Sequence, residues 1–443
     1  RDLRMSRGLG DVYKRQEQGV KKMDYNKIVQ GILDIGEAML QSGAENFRLE
    51  DSFYRMCRSY GFKRSDVFVI PSNIQVTVET PEGEIITQIR HIESSEPNFD
   101  QLDYLNNLCR YVCQHTPDEK EMREKYLEVI NREPQKRITR YAAGIMGGTG
   151  FAVFFGCNVW DAIVALIVSV MIVAVGDWLA KRESNLMVYN AILSFISEVI
   201  IIVALKMGVA DHPDRIMIGI VMLLISGLGT TNGIRDLLQR DFISGFINIM
   251  NSFLGAAGIA FGIGLAIMLF HEGYSDHFIL NHSVPIQLIS CTVACTGFAF
   301  WFKIRGKQVW YNSIGAFFTW AIYVVVFALK PSNFLATMIA AVFVAFYAFI
   351  MSRVNKAPST IFLTASVFPL IPGPNLYYVM YGCVSQDPQL AFDETIVLMA
   401  TCLAIAFGFI IVDVASRSIM YALKREYHIG KSALNLPLIG GKK

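Results

Sequence analysis

The residue of this chain that most directly suggests chemistry is an acid within an apolar segment. Glu198 stands near the middle of the apolar stretch 188–210. A charged carboxylate is costly to bury in an apolar environment, whereas the neutral acid is much less so. An acid at this depth suits reversible protonation, and the sequence predicts that Glu198 exchanges a proton. The alternative is a hydrogen bond to a polar neighbour such as Asn190.

Two further acids lie nearer the ends of apolar segments. Asp177 and Asp413 are placed where water can reach them, and Arg417 is a nearby basic residue for Asp413. Acids within apolar segments mark ion pathways in many membrane proteins. We therefore include both with Glu198 as candidates for proton coupling.

Glycine and proline interrupt two other apolar segments. Ser226-Gly227 lies within 215–233, and Pro372-Gly373 lies within 360–381. Because these residues disfavour a continuous helix, we expect two broken helices whose inner ends present backbone N–H groups to a substrate carboxylate. A simple kink or close helix packing is the alternative. The predicted substrate-binding residues are Ser226, Gly227, Thr230, Thr231, Asn232, Arg235, Pro372, Gly373, Asn375 and Tyr377.

Charged residues are scarce and unevenly distributed. The chain has 443 residues, of which 53% are hydrophobic and 18% charged. Residues 1–138 contain 44 of its 78 Lys, Arg, Asp and Glu residues. This distribution excludes a single soluble globule, a nucleic-acid binder and a disordered chain. It predicts a polar domain followed by a polytopic membrane domain.

The polar domain is predicted to span residues 23–138 and to have a small α+β fold. Residues 1–22 resemble translated adapter sequence, so we interpret them as a non-native leader. Helical spacing of apolar residues before Ser42, and again as far as Gly61, indicates two helices. Alternating residues over 67–90 then predict strands, and two more helices follow.

A short polar motif joins the first two predicted helices. Ser42 and Glu45 fit a capping box, with Ser42 as the N-cap of the second helix. Glu45, Arg48 and Asp51 share one face of that helix. They either bind a ligand or form intrahelical ion pairs on a solvated surface.

Ten apolar segments follow the polar domain, and most have the roughly 20 residues that a membrane-spanning helix needs. With the polar domain inside, 16 of the 19 basic residues after Thr139 fall on the cytoplasmic side. This pattern predicts a multi-pass protein of the bacterial cytoplasmic (inner) membrane, with both termini cytoplasmic. The predicted spans are 140–157, 159–180, 188–210, 215–233, 242–270, 284–303, 309–329, 333–351, 360–381 and 392–420.

The membrane half contains an internal repeat. Thr149-Gly150-Phe151-Ala152 recurs 147 residues later as Thr296-Gly297-Phe298-Ala299, and Ile259-Ala260-Phe261-Gly262 recurs 146 residues later at 405–408. Each copy has five segments, an odd number, so the second must cross the membrane in the opposite sense. We predict an all-α membrane domain of ten helices in two inverted repeats, as in many secondary transporters that alternate access to one site. The copies cover residues 139–281 and 282–425, followed by a cytoplasmic tail at 426–443.

The chain resembles the threonine/serine exporter family over residues 25 to about 425. The stretch from Ser42 to Asp51 is similar to the family's SGA-x-x-x-R-x-E-D signature. Asn232-Gly233-Ile234-Arg235-Asp236 and Pro372-Gly373 match its two membrane halves, whereas Ser226 stands where the family often has proline. The resemblance implies export of threonine and serine by proton antiport. The motif residues of the polar domain are Ser42, Glu45, Arg48, Glu50 and Asp51.

Two other functions stay open at this point. Related two-chain exporters are associated with dicarboxylates such as succinate, which would need a second cationic site, and Arg235 is the obvious candidate. A membrane-anchored hydrolase is the rival from another class. Asp177 is preceded by Gly176, but Ala174 stands where the intramembrane aspartyl protease motif has glycine.

The expected partners are a small amino acid or carboxylate, protons and the lipid bilayer. The sequence indicates no enzyme activity, no cofactor, no metal site and no nucleic-acid partner. Whether the chain forms homo-oligomers is left open.

Overall fold

The structure is a computed structural model of the chain and describes residues 23–92, 96–183, 185–225, 227–238, 240–270 and 283–434. The predicted leader, residues 1–22, lies outside the described residues. The chain divides into two compact units. One unit comprises residues 1–96 and 101–133, and the other comprises residues 97–100 and 134–443.

Four helices and a three-stranded antiparallel sheet form the first unit, as the changing period of apolar residues predicts. The strands lie in the order β1-β2-β3, and α1 packs on β2 and β3 while α2 packs on β1. Ile74, Val76 and Val78 alternate along β2 and are fully buried. The elements are α1 (Tyr25–Gln41), α2 (Asn46–Ser59), β1 (Arg64–Ile70), β2 (Asn73–Glu79), β3 (Ile85–His91), α3 (Phe99–His115) and α4 (Glu119–Ile130).

The predicted capping box at the start of α2 is wrong. Ser42 is instead the C-cap of α1, and its backbone N–H donates to the carbonyl oxygen of Ala38. Gly43 follows with φ of +91°, a left-handed conformation that favours glycine and ends the helix. Glu45 precedes α2 in an extended conformation. Ser42 and Gly43 therefore belong to the end of α1 and not to the start of α2.

The second unit is helical throughout its regular structure. It begins with α5 (Arg137–Phe154), whose start follows the predicted change in composition. The remaining helices are α6 (Val159–Leu179), α7 (Leu186–Lys206), α8 (Pro213–Leu224), α9 (Gly227–Leu238), α10 (Phe242–Phe270), α11 (Val284–Trp301), α12 (Lys307–Leu329), α13 (Asn333–Asn355), α14 (Ser359–Val367), α15 (Gly373–Val384) and α16 (Pro388–Leu434).

Seven of the described helices are long and apolar enough to cross a membrane. They are α6, α7, α10, α11, α12, α13 and the Pro388–Ser416 part of α16. The other three predicted spans correspond to α5, to α8 with α9, and to α14 with α15. The count of ten crossings therefore stays a prediction.

Both segments predicted to be broken are broken at the predicted positions. Helix α8 ends at Leu224 and Ile225 is extended, with ψ of 131°. In the later segment a short 3₁₀ turn at Phe368–Leu370 follows α14, and Ile371 is again extended, with ψ of 127°. The two interruptions stand 146 residues apart, at the spacing of the sequence repeat. Since the first break forms without proline, Ser226 in place of the family's proline does not prevent it.

The order and packing of helices in the second unit recur with the same spacing. Helices α11 to α16 begin 146 to 148 residues after α5 to α10, each in turn. Helix α10 packs against α7 as α16 packs against α13, and α9 packs against α10 as α15 packs against α16. The last helix of each set also contacts the other set, since α9 packs on α16 and α15 packs on α10.

Helices α5 and α11 approach each other through the repeated Thr-Gly-Phe-Ala segments. A Cβ atom added at Gly150 would lie 2.9 Å from Cα of Ala294, and one added at Gly297 would lie 2.5 Å from the backbone N of Gly147. The rings of Phe151 and Phe298 meet edge to face, with centroids 5.6 Å apart. The two copies of the segment therefore lie against each other, backbone to backbone.

Glycine at equivalent positions of α10 and α16 permits similarly close contacts. A Cβ at Gly408 would lie 2.6 Å from Cβ of Ala341 and 3.0 Å from the carbonyl oxygen of Met338 on α13. At Gly262 the added atom would clash with Ser194 and Ala191 on α7. Small residues are the usual means of close helix approach in membranes.

We expect Gly408→Val to reduce the free energy of unfolding by about 1–3 kcal/mol, because the added methyl groups overpack the α13–α16 contact. The measurement is the thermal unfolding midpoint of the detergent-solubilised protein. Ala328→Val, at an exposed position of α12, is the matched control and should leave the midpoint unchanged. An equal midpoint for both variants would contradict the assigned packing.

Candidate functional site

Glu198 is completely buried on α7, where the sequence predicts an acid in an apolar segment. Polar side chains on the same helix contact α10. Asn190 donates to the carbonyl oxygen of Gly255 at 3.1 Å, and Ser194 donates to that of Ile259 at 3.1 Å. Asn190, which the sequence suggests as an alternative partner of Glu198, thus donates a hydrogen bond to the backbone of α10.

Tyr377 connects Glu198 to the second broken segment. This tyrosine lies one helical turn after the break, near the start of α15, and is 1% exposed. It lies within electrostatic range of both Glu198 and Asp214. Tyr377 and Glu198 are predicted separately from the sequence and 179 positions apart, and the structure brings them into one group. We call Glu198, Asp214 and Tyr377 the acid–tyrosine cluster.

Asp214 is a member of this cluster that the sequence analysis missed. It lies in the first turn of α8 and is 6% exposed. Its position directly after Pro213 is typical of a helix start, where an acid has an ordinary structural role. Only the burial of the whole of α8 distinguishes Asp214 from such an acid, and one sequence does not reveal this burial.

Helices α8 and α15 contact each other near the two breaks. A Cβ at Gly373, the first residue of α15, would clash with the sulfur of Met222, two residues before the end of α8. Pro372, Gly373 and Tyr377 are all buried. The predicted break residues of the later segment are therefore brought against the first broken segment.

Asn375 lies beside the same break and bonds a second acid that the sequence analysis missed. Its side-chain nitrogen donates to Oε2 of Glu394 on α16 at 2.8 Å. Glu394 lies close to the start of its apolar segment and follows Asp393, so its sequence context suggests an exposed end. The bond instead joins α16 to the N-terminal end of α15.

The residues after the first break form a separate polar group. Arg235 is 12% exposed and lies 3.8 Å from Asp236, which accepts a hydrogen bond of 3.1 Å from Asn248 of α10. Asn232 is half-buried on α9. Gly227, Thr230 and Thr231 lie in α9, but the side chains of the two threonines, like the whole of Ser226, lie outside the described residues.

The other two acids proposed for proton coupling have different surroundings. Asp177 forms an ion pair of 2.8 Å with Arg140 of α5. Asp413 is exposed on α16. Both placements agree with their positions near the ends of apolar segments.

Asp161, which the sequence analysis did not single out, holds the start of α8. It is completely buried in the first turn of α6. Its Oδ1 accepts from the backbone N–H groups of Asp211 and His212, at 2.8 and 3.2 Å. Its Oδ2 accepts from Nδ1 of His212 at 2.9 Å and from the backbone N–H of Asn158 at 3.1 Å. One carboxylate therefore ties the loop before α6 to the loop before α8.

The motif of the first unit forms local ion pairs. Nε of Arg48 lies 3.3 Å from Oε2 of Glu45, and Arg55 lies 2.6 Å from Asp51. Ser42 is buried at the end of α1, and Glu50 is half-buried on α2. These contacts are those of a helix with intrahelical pairs, the second of the two interpretations of this motif.

A metal site is not visible in the part of the chain that the structure describes. No group of three or more His, Cys, Asp or Glu side chains there could hold a metal ion. In the first unit, burial raises the pKa of the Cys109 thiol to about 12, so this cysteine stays a neutral core residue.

The apolar helices and the buried polar cluster of the second unit define a multi-pass membrane protein. A family model described as "Putative threonine/serine exporter" matches residues 30–270, and a second, described as "Threonine/Serine exporter, ThrE", matches residues 287–415. The first match covers more than half of the chain. The chain therefore belongs to the threonine/serine exporter family, a family of transporters.

Two relatives share this assignment over most of their lengths. The "Threonine/serine exporter" of Corynebacterium glutamicum is 23% identical over 401 residues, which cover 85% of this chain and 80% of the relative. The "Probable threonine/serine exporter" of Mycobacterium tuberculosis is 21% identical over 436 residues, covering 93% and 80%. No solved structure matches the chain.

We expect Asp161→Asn to reduce the free energy of unfolding by about 3 kcal/mol, because an amide replaces an anion that accepts four hydrogen bonds in a buried site. Thermal unfolding in detergent measures the change. Asp211→Asn alters a nearby exposed carboxylate and should have a much smaller effect. Equal shifts for the two variants would show that Asp161 does not hold these loops.

Proposed function

We propose that this chain exports threonine and serine in exchange for protons, by alternating access to a site at the acid–tyrosine cluster. The observation that supports this proposal is the position of Glu198, completely buried and within electrostatic range of Tyr377 at the broken helix of the second copy. A buried acid is costly unless it binds a proton or a cation. The relatives support threonine and serine as substrates, since both are named threonine/serine exporters.

A hydroxy amino acid has three groups that the cluster and the adjacent break can bind. Its carboxylate fits the N-terminal end of α15, where the positive end of the helix dipole favours an anion. Its ammonium fits beside Glu198. The phenol of Tyr377 is an amphipathic partner for the hydroxyl, since it both donates and accepts hydrogen bonds.

The substrate's ammonium and a proton would compete for the negative charge of Glu198, and this competition would couple export to proton movement. When the substrate's ammonium leaves, the buried acid is stabilised by taking up a proton instead. Each cycle then moves one proton inward for each amino acid that leaves. A difference of one pH unit supplies about 1.4 kcal/mol per proton, enough for about a tenfold concentration ratio of substrate.

The recurring helix order gives a physical basis for alternating access. In the proposed arrangement ten crossings form two inverted five-helix repeats in the bacterial cytoplasmic membrane, with both termini in the cytoplasm. Each copy then adopts in turn the conformation of the other. The packing of α9 on α16 and of α15 on α10 couples the two copies directly.

A dicarboxylate such as succinate would need a second cationic group in the same site. Arg235, the candidate for that role, lies 3.8 Å from the carboxylate of Asp236. Nothing in the described contacts favours a dicarboxylate over an amino acid. The substrate competition described below separates the two classes.

We expect Glu198→Gln to reduce threonine efflux driven by a pH gradient by about tenfold or more, because the amide has no exchangeable acidic proton. The measurement is loss of radiolabelled threonine from proteoliposomes with an imposed pH gradient. Glu128→Gln, an exposed position of α4, is the matched control and should transport like the wild type. Unaltered, pH-driven efflux in Glu198→Gln would remove Glu198 from the mechanism.

We also expect unlabelled serine to compete with labelled threonine about tenfold more effectively than alanine does, because a site that bonds the hydroxyl leaves a buried polar group unsatisfied with alanine. Succinate should not compete. The measurement is the concentration of each competitor that halves threonine transport by the wild type. Strong inhibition by succinate and weak inhibition by serine would favour the dicarboxylate exporter.

A further inference from the structure

We propose that Asp214 is the outer proton carrier of this transporter, the group that exchanges protons between the outer face and Glu198. This inference rests on the proposed function and on its topology, in which the loop before α8 faces outward. It adds a second acid, with a distinct role, to the site. Four observations support it.

The first observation is the burial of the helix on which Asp214 lies. In α8 every residue from Pro213 to Leu224 is buried except Arg215, which is half-buried. A twelve-residue helix covers about 18 Å, too short to cross a bilayer, so α8 is the first half of a broken span. Asp214 lies in its first turn, at the end of α8 next to the loop that the proposed topology places outside.

The second observation is that polar side chains on the neighbouring helices are grouped with Asp214. Asp214 and Glu198 both lie within electrostatic range of Tyr377, and the rings of Tyr377 and Tyr381 stack with centroids 6.2 Å apart. Helix α8 also packs against α7, which carries Glu198. It packs against α15 as well, which carries Tyr377, so the helix of Asp214 contacts both helices that carry the other members of the cluster.

The third observation is access from the solvent-facing end. His212 immediately precedes α8, and its side chain is 34% exposed while its Nδ1 lies 2.9 Å from Asp161. One residue, Pro213, separates this partly exposed ring from the buried carboxyl of Asp214, so the route from the loop to Asp214 is short.

The fourth observation is the contrast between Asp214 and Asp161. Asp161 accepts four hydrogen bonds that fix it as an anion in a structural role. The backbone donors that the structure gives Asp214 are its own N–H and that of Arg215, both in its own turn. Asp214 is thus held by its own helix, which leaves it able to change protonation without separating two loops.

Several charged or titratable groups face Asp214. Arg215 and His212 belong to its own segment, and Arg215 also donates to the carbonyl oxygen of Gly156 at 3.0 Å. Cys157, at the end of α5, lies within electrostatic range of both Asp214 and Asp161. Tyr377 of α15 lies within electrostatic range of Asp214 and of Glu198 on α7.

The proposed step is a proton transfer in which charge balances. The O–H bond of neutral Asp214 breaks as an O–H bond forms at the Glu198 carboxylate, directly or through the Tyr377 hydroxyl, which gives up its own proton as it accepts one. The negative charge moves from Glu198 to Asp214. Two acids that share one proton avoid the repulsion of two buried anions.

Asp214→Asn separates this role from substrate binding. We expect threonine efflux driven by a pH gradient to fall about tenfold or more, because the route from the outer face is lost. Exchange of internal for external threonine, which needs no net proton movement, should stay within about twofold of the wild type. Asp214→Glu should restore pH-driven efflux.

Asp393→Asn is the control, since this carboxylate is exposed near the start of α16 and accepts from Gln389 at 3.1 Å. It should transport like the wild type. Wild-type pH-driven efflux in Asp214→Asn would overturn the inference, and so would equal loss of exchange and efflux in a folded variant, which would make Asp214 a binding or structural residue. If Asp214→Asn does not fold, failure of folded Asp214→Glu to couple efflux to pH would overturn it.

The wild type distinguishes this inference from the proposed function. Wild-type protein that moves no threonine, or moves it without regard to pH, contradicts the exporter or its coupling. Wild-type protein that couples threonine to protons, together with an unaffected Asp214→Asn, contradicts only the role of Asp214.

Discussion

The cost of burying a charged carboxylate among apolar helices constrains the second unit more than any other interaction. The protein meets this cost in different ways at its buried acids. Asp161 accepts hydrogen bonds from two loops, whereas Glu198 and Asp214 both lie within electrostatic range of Tyr377. The broken helices are part of the same arrangement, because they bring polar backbone ends to positions where a continuous helix would present only side chains.

The two halves of the second unit share a framework but not their chemistry. Positions 146 or 147 residues after Glu198 and Asp214 are occupied by Ala345 and Thr360. Conversely, Tyr377 stands where the first copy has Thr231. Acids from one copy and an aromatic hydroxyl from the other are therefore combined in a single cluster, and neither copy has the complete set.

Features set by a regular period or a repeated break could be predicted from the sequence, and features set by long-range burial could not. The strands, most helix bounds and both breaks follow from apolar spacing and from glycine and proline. The roles of Asp214 and Glu394 depend on which helices cover them, and their local sequences look like ordinary helix starts. The capping box failed for a similar reason, because Gly43 in a left-handed conformation ends α1 and makes Ser42 part of that helix's end.

The contact between α5 and α11 has a mechanical consequence. Its closest points are Gly147, Gly150, Ala294 and Gly297, so backbone meets backbone there. Helices that interdigitate through large side chains must repack those side chains when they rotate, whereas smooth surfaces can turn with little repacking. In the alternating access proposed above, the two halves would turn against each other at this contact, and the ring contact between Phe151 and Phe298 would maintain their alignment.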